Sequence, residues 1–184
     1  TAQQNSKAEN ILNNTTRDII ISPLTNYNVL VLDQNLKNNG FLTFTNTNVL
    51  RSGAFYDANV SGLSMKLNTK DNDYFLETEG VISNIIENSS LELGHSWGLE
   101  AGKQRGQFTF GAEYYEESDT YNPNDLGFLR ANNSRVTEIY IGFRDFNPKN
   151  KKINKIFSEV SISNERLFAP NLHGGTYWEA NGTL

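Results

Sequence analysis

Two histidines and no cysteine set the first limit on the chemistry open to this chain. His95 falls in an alternating apolar pattern, and His173 sits in the Gly-rich stretch Leu172-His173-Gly174-Gly175. Neither has a second histidine three to five residues away, as a zinc site of the usual spacing requires. The lack of cysteine removes disulfides and thiolate ligands. A structural role is expected for both histidines. Acidic residues are denser, with Glu113, Glu116, Glu117, Asp119 and Asp125 forming a stretch at and beyond a strand end. Paired carboxylates can perform acid–base work on a glycosidic bond or hold a hard cation. Asp119, Asn122, Asn124 and Asp125 supply hard oxygens, but without the ordered spacing, glycine and terminal glutamate of an EF-hand. An acidic loop rim is the simpler account. No nucleophile elbow, phosphate-binding glycine loop or Ser-His-Asp arrangement is present. The sequence therefore predicts no enzyme activity, no catalytic residue, no cofactor and no bound metal.

The elements that would position these groups are strands. Apolar residues make up only 37% of the 184 residues, little for one thick core, yet 11 Phe and 8 Tyr argue against disorder. Net charge is -5 and no basic stripe occurs, so nucleic acid is not an expected partner. His95, Trp97, Leu99 and Ala101 alternate with Ser96, Gly98, Glu100 and Gly102. Phe108, Phe110, Ala112 and Tyr114 alternate with Gln107, Thr109, Gly111 and Glu113, and Ile139, Ile141 and Phe143 with Glu138, Tyr140, Gly142 and Arg144. Such period-2 patterns place one apolar and one polar face on each strand. Extended runs are also expected over 26–33, 41–47, 53–67, 74–86 and 153–167, giving about eight strands. Several exceed the five or six residues usual in globular sheets and suit a tilted membrane-spanning strand. A polar-lined barrel and a soluble antiparallel sandwich both satisfy the alternation. In a barrel, Glu77, Glu79, Glu100, Glu113, Glu138 and Arg144 would line the lumen wherever they lie on the polar face. Tyr114, Tyr115 and Phe146 would stand near the lipid headgroups. In a sandwich, exposed Trp97, Tyr121 and Trp178 would bind glycan or protein.

One segment breaks the alternation. Ser118 to Asn133, SDTYNPNDLGFLRANN, carries Asn-Pro, Asn-Asp and Leu-Gly steps that favour turns over a ladder. It is expected to be a structured loop packing its own apolar residues. Residues 1–22 read as a polar lead-in, with a short helix over Ser6 to Leu12 as one option. Residues 23–184 read as the antiparallel domain, and no firm element is assigned to 168–184.

Three stretches carry a resemblance: TNYNVLVLDQNLKNNGFLTFTNTNVLRSG from Thr25, FYDANVSG from Phe55, and GAEYYEESDTYNPNDLGFLRANN from Gly111. They resemble the C-terminal region of a Bacteroidetes outer-membrane protein family with a domain of unknown function 5916. Tyr121 to Leu129, YNPNDLGFL, is the specific element. The resemblance implies an all-β antiparallel meander forming a segment of an outer-membrane barrel like that of TonB-dependent receptors, with a role in transport or surface uptake. It implies the cell outer membrane as location. Outer-membrane lipid, the rest of a longer chain and other surface proteins are then the expected partners. It supplies no catalytic or binding residues. Tyr121, Asn122, Pro123, Asn124, Asp125, Gly127 and Phe128 are the candidates for a structured functional loop.

Overall fold

Residues 2–12, 15–150 and 152–183 are described in the computed structural model of the chain, and they are almost wholly extended. The strands are β1 (Ala2–Gln3), β2 (Ser6–Leu12), β3 (Thr15–Ser22), β4 (Thr25–Asn35), β5 (Phe41–Arg51) and β6 (Asp57–Asn68). β7 (Tyr74–Glu87), β8 (Ser90–Lys103), β9 (Phe108–Glu117), β10 (Ser134–Asp145), β11 (Ile156–Leu167) and β12 (His173–Thr183) follow. β4 to β12 form an uninterrupted antiparallel meander, with β1 added at the β4 edge, while β2 and β3 pair separately. The expected all-β antiparallel class holds, and the sheet is open. The helix considered over Ser6 to Leu12 is a strand instead, paired with β3. Pairing with β3 outweighs the weak helical pattern of those residues. β12 occupies the region that carried no firm element.

Turn chemistry fixes the register. Asn88 and Ser89 both take positive φ, 48° and 66°, closing β7 onto β8 in the two-residue hairpin whose twist matches its strands. Asn38, Asn39 and Asn72 make the same left-handed excursion at other turns, which asparagine tolerates better than most residues.

Because side chains alternate, the meander has two unlike faces. One carries Leu30, Leu32, Leu63, Trp97, Phe110, Ile139 and Ile141, every one of them exposed. Among the described residues no second sheet covers this face. The other face holds glycines, serines, tyrosines and carboxylates, and is partly filled by its own aromatics. Tyr140 lies flat across Gly111, where a Cβ would sit 2.4 Å from the phenol oxygen.

The exposed apolar residues do not follow the hydrogen-bonded rows. From Phe44 on β5 the register leads through Leu63, Gly80 and Trp97 to Glu116 and Arg135. From Leu42 it leads to Thr137. The apolar residues of β10 centre instead on Ile141, further along the strand. The apolar residues of β10 are thus offset by about five residues from the rows of Leu42 and Phe44.

Candidate functional site

The polar face carries a row of carboxylates. Glu77 pairs directly with Glu100, Glu100 with Glu113, and Glu113 with Glu138, on four successive strands. Like charges in direct cross-strand pairs disfavour the sheet. Relief is limited: Lys66 Nζ lies 2.7 Å from Glu77, and the Tyr140 hydroxyl donates to Glu100 at 2.8 Å, reaching it over Gly111. Beside the row an open depression of about 390 Å³ is lined by Phe41, Thr43, Ser64, Glu77, Glu79 and Glu100 among others. Of the strand glutamates expected on the polar face, Glu77, Glu100, Glu113 and Glu138 therefore stand in a single line across it, while Glu79 lies one inward position along β7, opposite Gly98. Arg144 shares this face by register but donates to the Gly106 and Gln104 carbonyls at the far end.

The segment Ser118 to Asn133, between β9 and β10, folds back over one end of the same face. Two small residues of the sheet make room. A Cβ on Gly94 would lie 2.4 Å from both the Thr120 carbonyl oxygen and the Tyr121 Cα, so only glycine permits this approach. Ser83, fully buried, accepts the Asn122 N–H on its hydroxyl at 3.0 Å, and the Ser118 hydroxyl accepts the His95 N–H at 2.9 Å. Thr120 donates to the Leu93 carbonyl at 2.6 Å. Tyr121 is inserted against the face and only 8% exposed. Asp125 then reaches β5, where it pairs with Arg51 and accepts from the Tyr56 hydroxyl at 3.2 Å. Arg51 in turn stacks on the Tyr56 ring.

Each predicted loop residue can now be placed. Asn124 organises the turn: its N–H donates to Asn122 Oδ1 at 3.2 Å, and its own Oδ1 accepts the Leu129 N–H at 2.6 Å. Gly127 passes close to Pro123, whose carbonyl oxygen would lie 2.9 Å from an added Cβ. Phe128 is 86% exposed, so the expectation of a loop packing its own apolar residues is corrected. The segment is held by hydrogen bonds, one ion pair and Tyr121, because the surface beneath it offers polar and small groups. Burial of Tyr121 also withdraws it from the exposed aromatics proposed for glycan binding. Its hydroxyl is pushed above the usual value of 10.0, first by burial and then by the nearby Glu117 and Glu79 carboxylates. Burial, followed by Asp125, raises Tyr56 in the same direction.

The remaining acids of the stretch part company. Glu117 faces inward, accepting from the Tyr115 hydroxyl at 2.6 Å. Tyr115 is therefore not at the outer rim as expected. Glu116 faces outward and gathers four donors or partners: Tyr114 hydroxyl at 2.7 Å, Arg135 Nε at 2.6 Å, and Trp97 Nε1 and His95 Nε2 at 3.2 Å each. His95 also meets the Phe168 ring edge-on. The His173 ring Nδ1 lies 3.3 Å from Asn164 Nδ2. Among the described residues no three His, Asp or Glu side chains come together as a metal site.

Arg51, Tyr56, Ser83 and Gly94 were not singled out from sequence, although they hold the loop. They lie 69 or more residues before Asp125 in the case of Arg51 and Tyr56. The small-residue face of β8 was the available signal, without indicating which small residue receives a loop.

An open antiparallel meander with an apolar outer face and an inward-folded loop thus defines the class of this protein. The chain belongs to the family described as domain of unknown function DUF5916, whose model matches residues 1–184. No curated protein and no solved structure matches it.

Proposed function

We propose that this chain is part of an outer-membrane β-barrel that contributes to transport or surface uptake. The observation carrying the reading is the exposed apolar face, which runs across the meander from Leu30 and Leu32 on β4 to Trp178 on β12 with no second layer on it among the described residues. In water such a face would be an aggregation hazard; in lipid it is the required outer surface. The polar inner face, its row of glutamates and the loop folded over one end suit a lumen with a constricted mouth. A line of carboxylates disfavours anions, so neutral or cationic solutes are the class this lumen would pass.

The test is spin-labelling of residues 107 to 114 in the full-length protein in lipid. Labels at Phe108, Phe110, Ala112 and Tyr114 should meet lipid-soluble relaxants, and those at Gln107, Thr109, Gly111 and Glu113 water-soluble ones. Uniform burial from both relaxants would sink the proposal.

A further inference from the structure

At one rim of the apolar band, outward-facing Arg135 and Arg166 are direct cross-strand partners. Like charges placed this way repel, and the two are answered unequally. Arg135 donates its Nε to Glu116 and lies over the Phe168 ring. Arg166 donates only to neutral acceptors, Asn171 Oδ1 at 2.8 Å and the Asn171 carbonyl at 3.4 Å. Its other cross-strand partner is His173, not an acid. Among the described residues the single carboxylate of this outer patch, Glu116, is already committed to Arg135, Tyr114, Trp97 and His95. One guanidinium positive charge is left uncompensated, at the level where apolar side chains give way to polar ones.

The surroundings say what would compensate it. Four residues further along the same two strands, Ile139 faces Ile162, and Ile162 faces the exposed Trp178. An anion seated between the guanidinium groups would therefore have an apolar surface beneath it. Trp97 and Tyr114, in tilted ring contact at 4.8 Å, flank the patch as amphipathic aromatics do at headgroup depth. Guanidinium groups pair well with phosphate through their planar fork of donors. A phosphate head with hydrocarbon chains fits both halves of this surface, whereas free phosphate would use only the first.

We propose that Arg135 and Arg166 form a binding site for the phosphate of an anionic membrane lipid, whose chains lie over Ile139 and Ile162. This rests on the membrane reading above. Glu116 and Asn171 act as positioning residues, holding the two guanidinium groups side by side against their repulsion.

The experiment uses the full-length protein carrying Trp97→Phe, so that within this region Trp178 reports, in vesicles of phosphatidylcholine and phosphatidylglycerol. Bromines placed on the chains of one lipid or the other quench the tryptophan that touches them. Phosphatidylglycerol should be preferred at Trp178 by about fivefold for each unmatched cation. Arg166→Gln should bring the preference to parity, and Arg166→Lys, which keeps the charge, should retain most of it. Equal quenching by both lipids in the Arg166 protein would overturn the site while leaving the membrane reading standing. A preference that survives Arg166→Gln would likewise overturn it. Quenching by neither lipid would overturn both.

Discussion

Replacing Gly94 by alanine should lift the inward-folded segment off the sheet. The added Cβ would sit 2.4 Å from Thr120 O and Tyr121 Cα, where ordinary contact begins at 3.4 Å. Both opposing atoms are backbone, so no side chain can rotate away, and the segment must retreat by about 1 Å to restore contact distances. A shift of that size takes the Thr120 to Leu93 bond from 2.6 Å and the Asn122 to Ser83 bond from 3.0 Å out of hydrogen-bonding range. Overpacking of this kind costs about 1–3 kcal/mol, and each lost hydrogen bond adds about 1 kcal/mol. The docked state therefore loses about 3–5 kcal/mol, enough to release a surface segment. The sequence contains no cysteine, so spin labels can be placed without removing native thiols. One at Phe128, which is solvent-facing, and one at Phe146, an exposed residue of the β10–β11 turn, report the position of the loop. Pulsed distance measurements should give a single narrow distribution for the parent and a broad, displaced one for Gly94→Ala. Gly80→Ala is the control, since nothing lies within 4 Å of its Cβ. A narrow, unshifted distribution in Gly94→Ala would refute the reasoning.

Two further outcomes follow from the same geometry. Glu113→Gln removes a charge that faces Glu100 on one side and Glu138 on the other. It should stabilise the sheet by about 0.5–1 kcal/mol at neutral pH in denaturant titration, and a loss of stability would contradict the repulsion argument. Tyr121, whose docked form holds its proton above the ordinary value of 10.0, stabilises docking fully below that pH and loses the contribution as pH rises through its raised value. The Phe128–Phe146 distance should broaden above pH 10 in the parent, with that step absent in Tyr121→Phe.

The strands were legible because alternation survives in individual segments: Phe108 to Tyr114 and Ile139 to Phe143 read as two-faced without reference to any partner. The expected lengths fell short where polar residues occupy the outer face beyond the apolar band. The run expected over 41–47, for example, continues to Arg51 in β5, past Asn48 on that face. The carboxylate row was half visible. The polar-face glutamates could be named, but their alignment depends on register, which hairpin turns such as Asn88-Ser89 impose. The loop was found by its broken pattern, and its docking was not. Gly94 looks like any small residue of the polar face until Tyr121 is laid on it. The Arg51–Asp125 pair spans 74 residues of chain and leaves no local trace.

The meander from β4 to β12 contains nine strands, and in an antiparallel series the first and ninth run the same way. Bringing β4 and β12 themselves together would make a parallel pair, whereas the two-residue β1, antiparallel to β4 at that edge, runs opposite to β12. A second copy turned about the cylinder axis would offer its β4 to β12 in the same parallel sense, so rotational self-assembly does not mend the mismatch. Under the barrel reading, all-antiparallel closure requires an odd number of strands between β12 and β4, of which β1 is one, giving the even parity usual in bacterial barrels. Chain direction at the two borders thus acts as a selection rule on what can complete the wall.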